Sequence, residues 1–492
     1  MTDTPDDSEL APPTPRKGEG LVRAADAAAI ACLVLALFVA LFGGFILHLG
    51  PVALRVHGTG RLLFLAIAVM AVRHAASPAN PLHRRLVRGL RGDAGDRTSA
   101  GSIARAALLS RVTVLLAGYF AVVTIGVAQS SVGFAVASDA ALNLPSRFDA
   151  GWYGGIALDG YSFEGRFDTQ QNVAFFPAFP LLERVAGYPL GAFVPGIPHE
   201  RRMARVLWGG VIISLVAFAW GAVYLWRLAR DTIGDARAPA AVALLAAYPF
   251  AVFFSAPYSE SLFFLGAVAT TYHVRRDELL RASAWGVLVG LTRPNGCFLS
   301  IVLACLIAER LWRARTPGTP IHRLPGYSIP GSLLAASAPG VGMLIYSAYV
   351  HHLTGAWFGW ARLHEAWGRS YEGLAPVARA YGWITDEGLL HVVEGVPYDA
   401  LNSLGLIFAL VMLWPVLRRL GPAYVLFVLV NLVPPMLAGG VLSMGRLSAT
   451  LFPLFLALAA CAPARAVTPL VTAFAMAQGL AAALFFTWRP LF

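Results

Sequence analysis

Long apolar runs recur along almost the whole chain, and short polar loops rich in arginine separate them. Most of the runs lack internal charge and have the length that crosses the hydrocarbon core of a bilayer as a helix. The pattern predicts an all-α, polytopic integral membrane protein with about thirteen transmembrane helices. The predicted helices lie near residues 28–47, 61–77, 112–136, 203–228, 240–255, 258–274, 282–292, 297–312, 329–350, 400–417, 422–438, 446–462 and 466–486.

The same pattern divides the chain into three parts. Residues 1–20 are polar and rich in proline, which predicts a disordered cytoplasmic tail. Residues 21–111 are predicted to hold an N-terminal helical hairpin and a basic cytoplasmic loop, and residues 112–492 to form one transmembrane domain. Because the first run, 28–47, is long enough to span a bilayer, a retained helix is favoured over a cleaved signal peptide.

The arginine-rich loops indicate the orientation, because short cytoplasmic loops carry an excess of Lys and Arg. Alternating the predicted helices from a cytoplasmic N-terminus places every such loop on the cytoplasmic side: 83–97, 227–237, 275–281, 310–323 and 418–419. The segments predicted to face outward are 137–202, 255–258, 293–296, 351–399 and 440–446. The unusual polar motifs therefore share the outer face, and the first large outer loop is predicted to contain interfacial helices.

Composition supports this interpretation. The 492 residues are 57% hydrophobic and 13% charged, with a mean hydropathy of +0.64. The formal net charge of +11 comes from cations placed between apolar runs, which fits membrane topology and gives no basic module for nucleic acid. The four cysteines lie in or beside apolar runs without CxxC spacing and are interpreted as buried thiols.

One long polar and aromatic interruption, residues 146–182, lies in the first outer loop. From Asp149 onward, aromatic and small residues recur at helical spacing, which predicts an amphipathic helix at the outer interface. Asp149, in the first turn of this helix, has two interpretations. With Ser146 it matches a capping box, and a carboxylate there suits the helix dipole. Alternatively, a partly desolvated carboxylate at the edge of the hydrocarbon is suited to act as a general base.

Several stretches of the chain closely resemble the motifs of the GPI mannosyltransferase 2 (PIG-V-like) family, and of its bacterial members in particular. They follow the family's order: RFDAGWYGGIALDGY at 147–161, NVAFFPAFPLL at 172–182, YPFAVFFSAPYSESLFF at 248–264, LTRPNG at 291–296 and GRLSATLFPLF at 445–455. The resemblance covers roughly residues 112–462. It departs from the family pattern at Phe148, where tryptophan is usual, and leaves Asp149 in place.

The resemblance implies a GT-C fold and an inverting transfer of a hexose, with mannose the expected sugar. The donor would be a polyprenyl-phosphate sugar. The acceptor would be a hydroxyl of a lipid, a polysaccharide or a protein, in contact with membrane lipids on the outer face. The implied location is a bacterial inner membrane with a periplasmic active site. No nucleic-acid partner, cofactor or metal site is predicted, since the outer segments lack tight metal-ligand spacing.

Carried onto this sequence, the resemblance makes Asp149 the general base. The cations that could stabilise the leaving phosphate are Arg147, Arg293 and Arg446, of which Arg293 is favoured. The hydroxyls and carboxylate that could hold the sugar belong to Ser255, Tyr258 and Glu260. The remaining predicted substrate-binding residues are Trp152, Tyr153, Tyr161 and Asn295.

These residues also have simpler interpretations. Arg293 could extend to lipid phosphate, and Ser255 or Glu260 could belong to a helix start. Most aromatic and histidine residues of the outer segment 351–399 are interpreted as an interfacial belt: His351, His352, Trp357, Trp360, His364, Trp367, Tyr371, Tyr381 and Trp383.

Two other functions stay open at the sequence level. A polytopic transporter or lipid flippase is the main alternative, and it would depend on charges within the membrane helices. A non-catalytic membrane scaffold is the second, and it would tolerate replacement of Asp149. The apolar helices and the outward polar motifs favour the enzyme.

Overall fold

The structure is a computed structural model that describes residues 19–42, 45–49, 52–56, 59–76, 98–128, 134–314 and 328–491. Nearly all of the predicted tail 1–20, all of the basic loop 83–97 and most of the loop 310–323 lie outside the described residues. The chain forms two compact units, Met1–Arg97 and Thr98–Phe492. The predicted division of the chain after residue 111 stays a prediction.

The first unit contains a helix, a β-hairpin and a second helix: α1 (Glu19–Phe42), β1 (Phe45–Leu49), β2 (Val52–Val56) and α2 (Thr59–Ala76). The strands are antiparallel, and Arg73 bonds Asp26 at 2.6 Å between the two helices. The hairpin was not predicted, because the apolar run 28–47 was expected to be helical throughout. Two glycines follow Phe42 in the sequence, and glycine is a weak helix former.

The described part of the second unit contains only helical elements. They are α3 (Ala100–Ile125), α4 (Ala150–Asp159), α5 (Ala178–Gly187), α6 (His199–Ile233), α7 (Ala238–Ala247), α8 (Glu260–Arg275), α9 (Leu279–Gly290), α10 (Leu299–Ala314), α11 (Ile329–Thr354), α12 (Gly359–Leu363), α13 (Ala375–Glu387), α14 (Leu389–Gly395), α15 (Pro397–Val411), α16 (Leu413–Leu420), α17 (Pro422–Gly439), α18 (Met444–Ala449), α19 (Phe452–Cys461) and α20 (Ala464–Phe486). The all-α, polytopic fold class is confirmed for this unit.

Six helical segments of the described chain are long and apolar enough to cross a membrane: Ala100–Ile125, His199–Ile233, Ile329–Thr354, Pro397–Leu420, which comprises α15 and α16, Pro422–Gly439 and Ala464–Phe486. A seventh span is obtained if α7 and the following turn count as one broken helix. The count is lower than the predicted number, because several predicted spans fold as shorter or interrupted helices. The run 240–255 is one case: α7 is followed by a 3₁₀ turn, Pro249–Ser255, at an angle of 83°.

Proline explains both interruptions that matter for the site. Pro249 begins the 3₁₀ turn and Pro453 lies in the first turn of α19, and proline lacks the amide hydrogen that continues a helix. The predicted span 446–462 therefore divides into the short helix α18 and the helix α19. Short elements consequently lie where continuous spans were predicted, and they bring backbone ends and polar side chains into the interior.

The broken segment is held by buried polar groups. The Arg111 guanidinium donates to the main-chain oxygens of Ala246 and Ala251, and the Gln478 amide donates to the Tyr248 oxygen at 2.7 Å. These carbonyls lie where helical hydrogen bonding is interrupted, so the side chains replace the missing partners. The long helix α6 contacts α3, α4, α5, α7 and α8, and it forms the centre of the apolar core.

Candidate active site

Asp149 stands at the N-terminal end of α4, and the chain reaches it through a strained residue. Phe148 has a φ of +46°, a left-handed conformation that is unfavourable for a bulky side chain. The aromatic ring of Phe148 packs against Phe485 and Trp488. Asp149 makes no side-chain capping bond, and the buried hydroxyl of Ser146 has no hydrogen-bond partner among the described residues. The capping-box interpretation of this pair is therefore wrong.

Tyr258 fixes the backbone on both sides of Phe148. Its hydroxyl accepts a hydrogen bond from the Asp149 amide at 3.1 Å and donates to the Arg147 oxygen at 3.0 Å. The Tyr258 side chain is fully buried. The Tyr258 hydroxyl thereby joins the turn that leads into α4 to the turn before α8. This contact orients the Asp149 carboxylate.

Four charged side chains from four separate segments form one network. Arg446 donates through Nη1 to Oδ2 of Asp149 at 2.6 Å, and through Nε to Glu260. Arg293 donates to the same Glu260 oxygen at 2.8 Å. Glu260 is completely buried, whereas the Asp149 side chain keeps 20% of its exposure. A buried carboxylate that holds two guanidiniums satisfies the requirement that interior charges be paired.

A cavity of about 570 Å³ lies beside this network. Of the predicted residues, five line it: Asp149, Tyr153, Arg293, Asn295 and Arg446. Aromatic rings make up much of the rest of the wall, among them Phe175, Phe176, Phe358, Trp360 and Trp367. Binding sites for organic ligands combine such apolar walls with a few fixed polar groups.

Two of the predicted residues in the cavity wall are held by neutral partners. The Tyr153 hydroxyl lies 2.9 Å from the Ser259 hydroxyl, and burial raises the pKa of Tyr153 to about 12. The Asn295 amide donates to Asn431 at 2.6 Å. Trp152 does not line the cavity but stacks on Phe175, which does, with ring centroids 5.8 Å apart.

Three predicted substrate-binding residues are directed at main-chain oxygens instead. Arg147 is buried, and it donates to Phe486 at 2.6 Å and to Asn143 and Ser146 at 2.7 and 2.6 Å. Tyr161 donates to the Phe175 oxygen at 2.8 Å, and Ser255 donates to the Arg111 oxygen at 3.4 Å. The structure thus places these three side chains outside the cavity, where they support its walls.

Sequence reasoning missed two basic residues of the cavity wall, His364 and Arg369, which lie in the outer segment 351–399 that was interpreted as an aromatic belt. Burial lowers the pKa of His364 to about 4 and the pKa of Arg369 to about 10, and neighbouring guanidiniums act in the same direction. Trp360 and Trp367 of the same segment line the cavity too, so the interfacial interpretation is incomplete for them. The sequence signal that could have identified this part of the site is Arg369, an arginine among aromatic residues in a segment predicted to face outward.

Among the residues that the structure describes, no group of three or more His, Cys, Asp or Glu side chains is arranged to hold a metal ion. The cations present at the cavity are guanidiniums. The prediction about metal and cofactors stays a prediction.

Membrane-length helices and a half-buried cavity with paired charges define the class of the protein. It is a multi-pass membrane protein with an internal polar site. Residues 121–352 match the family described as Mannosyltransferase (PIG-V), which confirms the resemblance to that family over this part of the chain. The match contains Asp149, Glu260 and Arg293, and it supports a mannosyltransferase, that is, a membrane glycosyltransferase. A search of curated proteins finds no match.

Proposed function

We propose that the protein is an inverting glycosyltransferase that moves mannose from a polyprenyl-phosphate donor to an acceptor hydroxyl at the outer face of the membrane. The observation that carries the proposal is the common cavity of Asp149, Arg293 and Arg446, which come from three motifs far apart in the sequence. One carboxylate for the acceptor proton and fixed cations for a phosphate are the groups that this reaction requires.

Asp149 is proposed to be the general base. The acceptor oxygen bonds to the anomeric carbon while the bond from that carbon to the phosphate oxygen breaks. The bonding electron pair leaves with the phosphate, and the hydroxyl proton passes to Asp149. Arg446 holds Oδ2 at 2.6 Å, while no described group hydrogen-bonds Oδ1. One oxygen is thus oriented and the other is available to the acceptor.

The guanidiniums are proposed to stabilise the leaving phosphate, on which charge develops. Arg293 and Arg446 keep only 13% and 8% of their side-chain exposure. Cations fixed in a site with little water act more strongly on developing charge than they would in bulk water. The aromatic walls suit the apolar parts of a prenyl donor and the faces of a sugar ring.

The proposed location is a bacterial inner membrane, with the site on the periplasmic side. The cavity collects residues from the segments 137–202, 293–296, 351–399 and 440–446, and the arginine pattern predicts that all four face outward. The acceptor belongs to a lipid, a polysaccharide or a protein.

Replacement of the proposed base is the direct test. Wild type and Asp149→Asn are placed in nanodiscs with polyprenyl-phosphate mannose and membrane lipids, and donor loss is followed by mass spectrometry. The amide oxygen can still accept from Arg446, but it cannot take the proton. We expect donor binding to persist and the transfer rate to fall about 100-fold or more.

Asp159→Asn is the matched control, because Asp159 ends the same helix, is 59% exposed and pairs only with His199 among the described residues. It should transfer at the wild-type rate. An equal loss in both variants would remove Asp149 as the base. A wild type that leaves the donor intact would contradict the donor assignment and make transport the next activity to assay.

A further inference from the structure

The charges around the cavity do not cancel. Asp149 and Glu260 are paired with Arg446 and Arg293, so these two carboxylates and two guanidiniums balance. Arg369 also lines the cavity and has no carboxylate within ion-pair distance among the described residues. Its one side-chain bond is a long contact from Nη2 to the Leu442 oxygen at 3.5 Å. The described part of the site therefore carries one surplus positive charge.

Arg369 is partly buried in the wall of the cavity. It follows Gly368, whose φ is +71°, and its amide donates to the His364 oxygen at 3.2 Å. The pKa of about 10 leaves its guanidinium protonated at neutral pH. A partly buried cation without a counterion is unfavourable compared with one whose charge a ligand balances.

His364 adds a polar atom without a partner. Its Nε2 is buried and has no hydrogen-bond partner among the described residues. The guanidiniums of Arg369 and Arg293 act together with burial to hold the pKa of His364 at about 4, so the ring is neutral at physiological pH. A neutral imidazole can donate one N–H to an anion. An orphaned donor beside an unpaired guanidinium is an arrangement that an anionic ligand would complete.

We propose that Arg369 and His364 form the subsite for the donor phosphate, with Arg369 as the charged ligand and His364 as a neutral hydrogen-bond donor. The inference rests on the proposed function for its ligand. It changes the expectation that Arg293 binds the phosphate directly, because Arg293 is already held by Glu260 at 2.8 Å. Arg293 and Arg446 then stabilise the phosphate through their positive electrostatic potential rather than by direct hydrogen bonds.

The surplus charge fits the reaction before and after transfer. A polyprenyl-phosphate sugar is a phosphodiester with one negative charge, which matches the surplus of one. Transfer releases a phosphate monoester that carries close to two negative charges at neutral pH. In the same step Asp149 takes the acceptor proton and loses its charge, which leaves Arg446 without one of its two counterions. The positive surplus thus rises to two as the phosphate gains its second charge.

Binding without turnover tests the subsite. The full chain in nanodiscs is titrated with farnesyl phosphate, and with farnesol as an uncharged control, by calorimetry. We expect the wild type to bind the phosphate at least 10-fold more tightly than the alcohol. Arg369→Gln should lower affinity for farnesyl phosphate about 10-fold to 100-fold, the range for a hydrogen bond to a charged group, and leave farnesol binding unchanged. His364→Gln should cause a smaller loss.

Two further variants serve as controls for this experiment. Arg369→Lys keeps a positive charge but replaces the planar guanidinium with an ammonium group, so it should retain part of the affinity. Partial retention would attribute the loss in Arg369→Gln to the missing charge rather than to misfolding. Arg379→Gln removes an exposed arginine that pairs with Glu372 and should bind like the wild type. An unchanged affinity of Arg369→Gln for farnesyl phosphate would contradict the proposed subsite. A loss of that affinity in Arg293→Gln alone would assign phosphate binding to Arg293 instead.

The binding and transfer measurements together distinguish a failure of the proposed subsite from a failure of the proposed function. If Arg369→Gln loses phosphate affinity but no mannose is transferred by the wild type, the subsite stands and the reaction is wrong. If mannose is transferred and Arg369→Gln changes neither phosphate affinity nor the KM for the donor, the reaction stands and the subsite is wrong. A wild type that prefers farnesol to farnesyl phosphate contradicts both.

Discussion

At the residue scale, Glu260 is the residue on which the charged network depends. It is fully buried and accepts from both Arg293 and Arg446, while its second oxygen has no partner among the described residues. Carboxylates in apolar surroundings are tolerated when they are paired. Glu260 therefore determines where two guanidiniums lie, and through Arg446 it influences the orientation of Asp149.

We expect Glu260→Gln to damage both stability and activity. The neutral amide leaves two buried guanidiniums with one remaining carboxylate, and removing one partner of a buried ion pair costs about 3–5 kcal/mol. Thermal unfolding in detergent should shift down by several degrees, and mannosyl transfer should fall at least about 10-fold as Arg446 loses its position.

Glu372→Gln is the control for this comparison. Glu372 pairs with Arg379 at the surface, where both side chains are largely exposed. Exposed ion pairs contribute about 0–1 kcal/mol, so this variant should unfold and transfer nearly like the wild type. Equal shifts in the two variants would contradict the structural role assigned to Glu260.

At the element scale, the short helix α18 places Arg446, and it does so by close packing. Ser443, at its start, has a φ of +63°, which redirects the chain after α17. The Gly445 amide donates to Asn402 at 3.0 Å. A Cβ added to Gly405 of α15 would lie 2.7 Å from the Gly445 Cα. Small residues allow this approach of two helices in a membrane protein.

We expect Gly445→Ala to displace Arg446. A Cβ at position 445 would overlap the buried ring of Phe250, so α18 or the ring must move. Overpacking of this kind costs about 1–3 kcal/mol, and a shift of about 1 Å at the arginine can lower a rate about 100-fold. Transfer assays combined with thermal unfolding measure both effects.

Gly479→Ala, in α20, is the matched control, since an added Cβ there meets nothing within 4 Å. It should be neutral or slightly stabilising, because alanine favours a helix over glycine. The pair Gly445→Ala with Phe250→Ala should recover part of the activity, because the smaller side chain makes room. A Gly445→Ala variant with wild-type transfer would exclude this packing as a constraint on Arg446.

At the scale of the whole molecule, polar segments collect at two places within residues 98–491. The cavity draws on the segments predicted to face outward. A second group joins two segments predicted to be cytoplasmic, 227–237 and 275–281, through a 3.1 Å bond from Arg276 to Asp231. The segments predicted to face outward and those predicted to be cytoplasmic thus form separate groups, while the side of the membrane that each group faces stays a prediction.

Cysteine labelling tests the sidedness that follows. In a variant without the four native cysteines, single cysteines replace Asp168 of the first outer loop and Arg276 of a cytoplasmic loop, both exposed. A membrane-impermeant maleimide added to spheroplasts should label Asp168→Cys alone, and permeabilisation should expose Arg276→Cys. The reverse pattern would place the cavity on the cytoplasmic side. Labelling of both in detergent checks that each thiol is reactive.

The sequence predicted single motifs better than it predicted spans. Five of the eleven site residues predicted from motifs and from the family resemblance line one cavity: Asp149, Tyr153, Arg293, Asn295 and Arg446. The number of spans was overestimated, because a hydropathy pattern does not show where Pro249 or Pro453 interrupts a run. The β-hairpin was missed for a similar reason, since an apolar run alone does not separate a strand from a helix.

Hydropathy and charge placement along the chain are enough to predict a helical membrane protein and the residue types available for chemistry, because both are properties of the sequence that need no tertiary contact. The tertiary structure sets how those residues act together. It directed Arg147 to main-chain oxygens, paired Glu260 with two arginines, and brought Arg369 and His364 into the cavity from a segment interpreted as an aromatic belt. Pairing and desolvation depend on neighbours that are 33 to 339 residues away in sequence, so no local pattern specifies them.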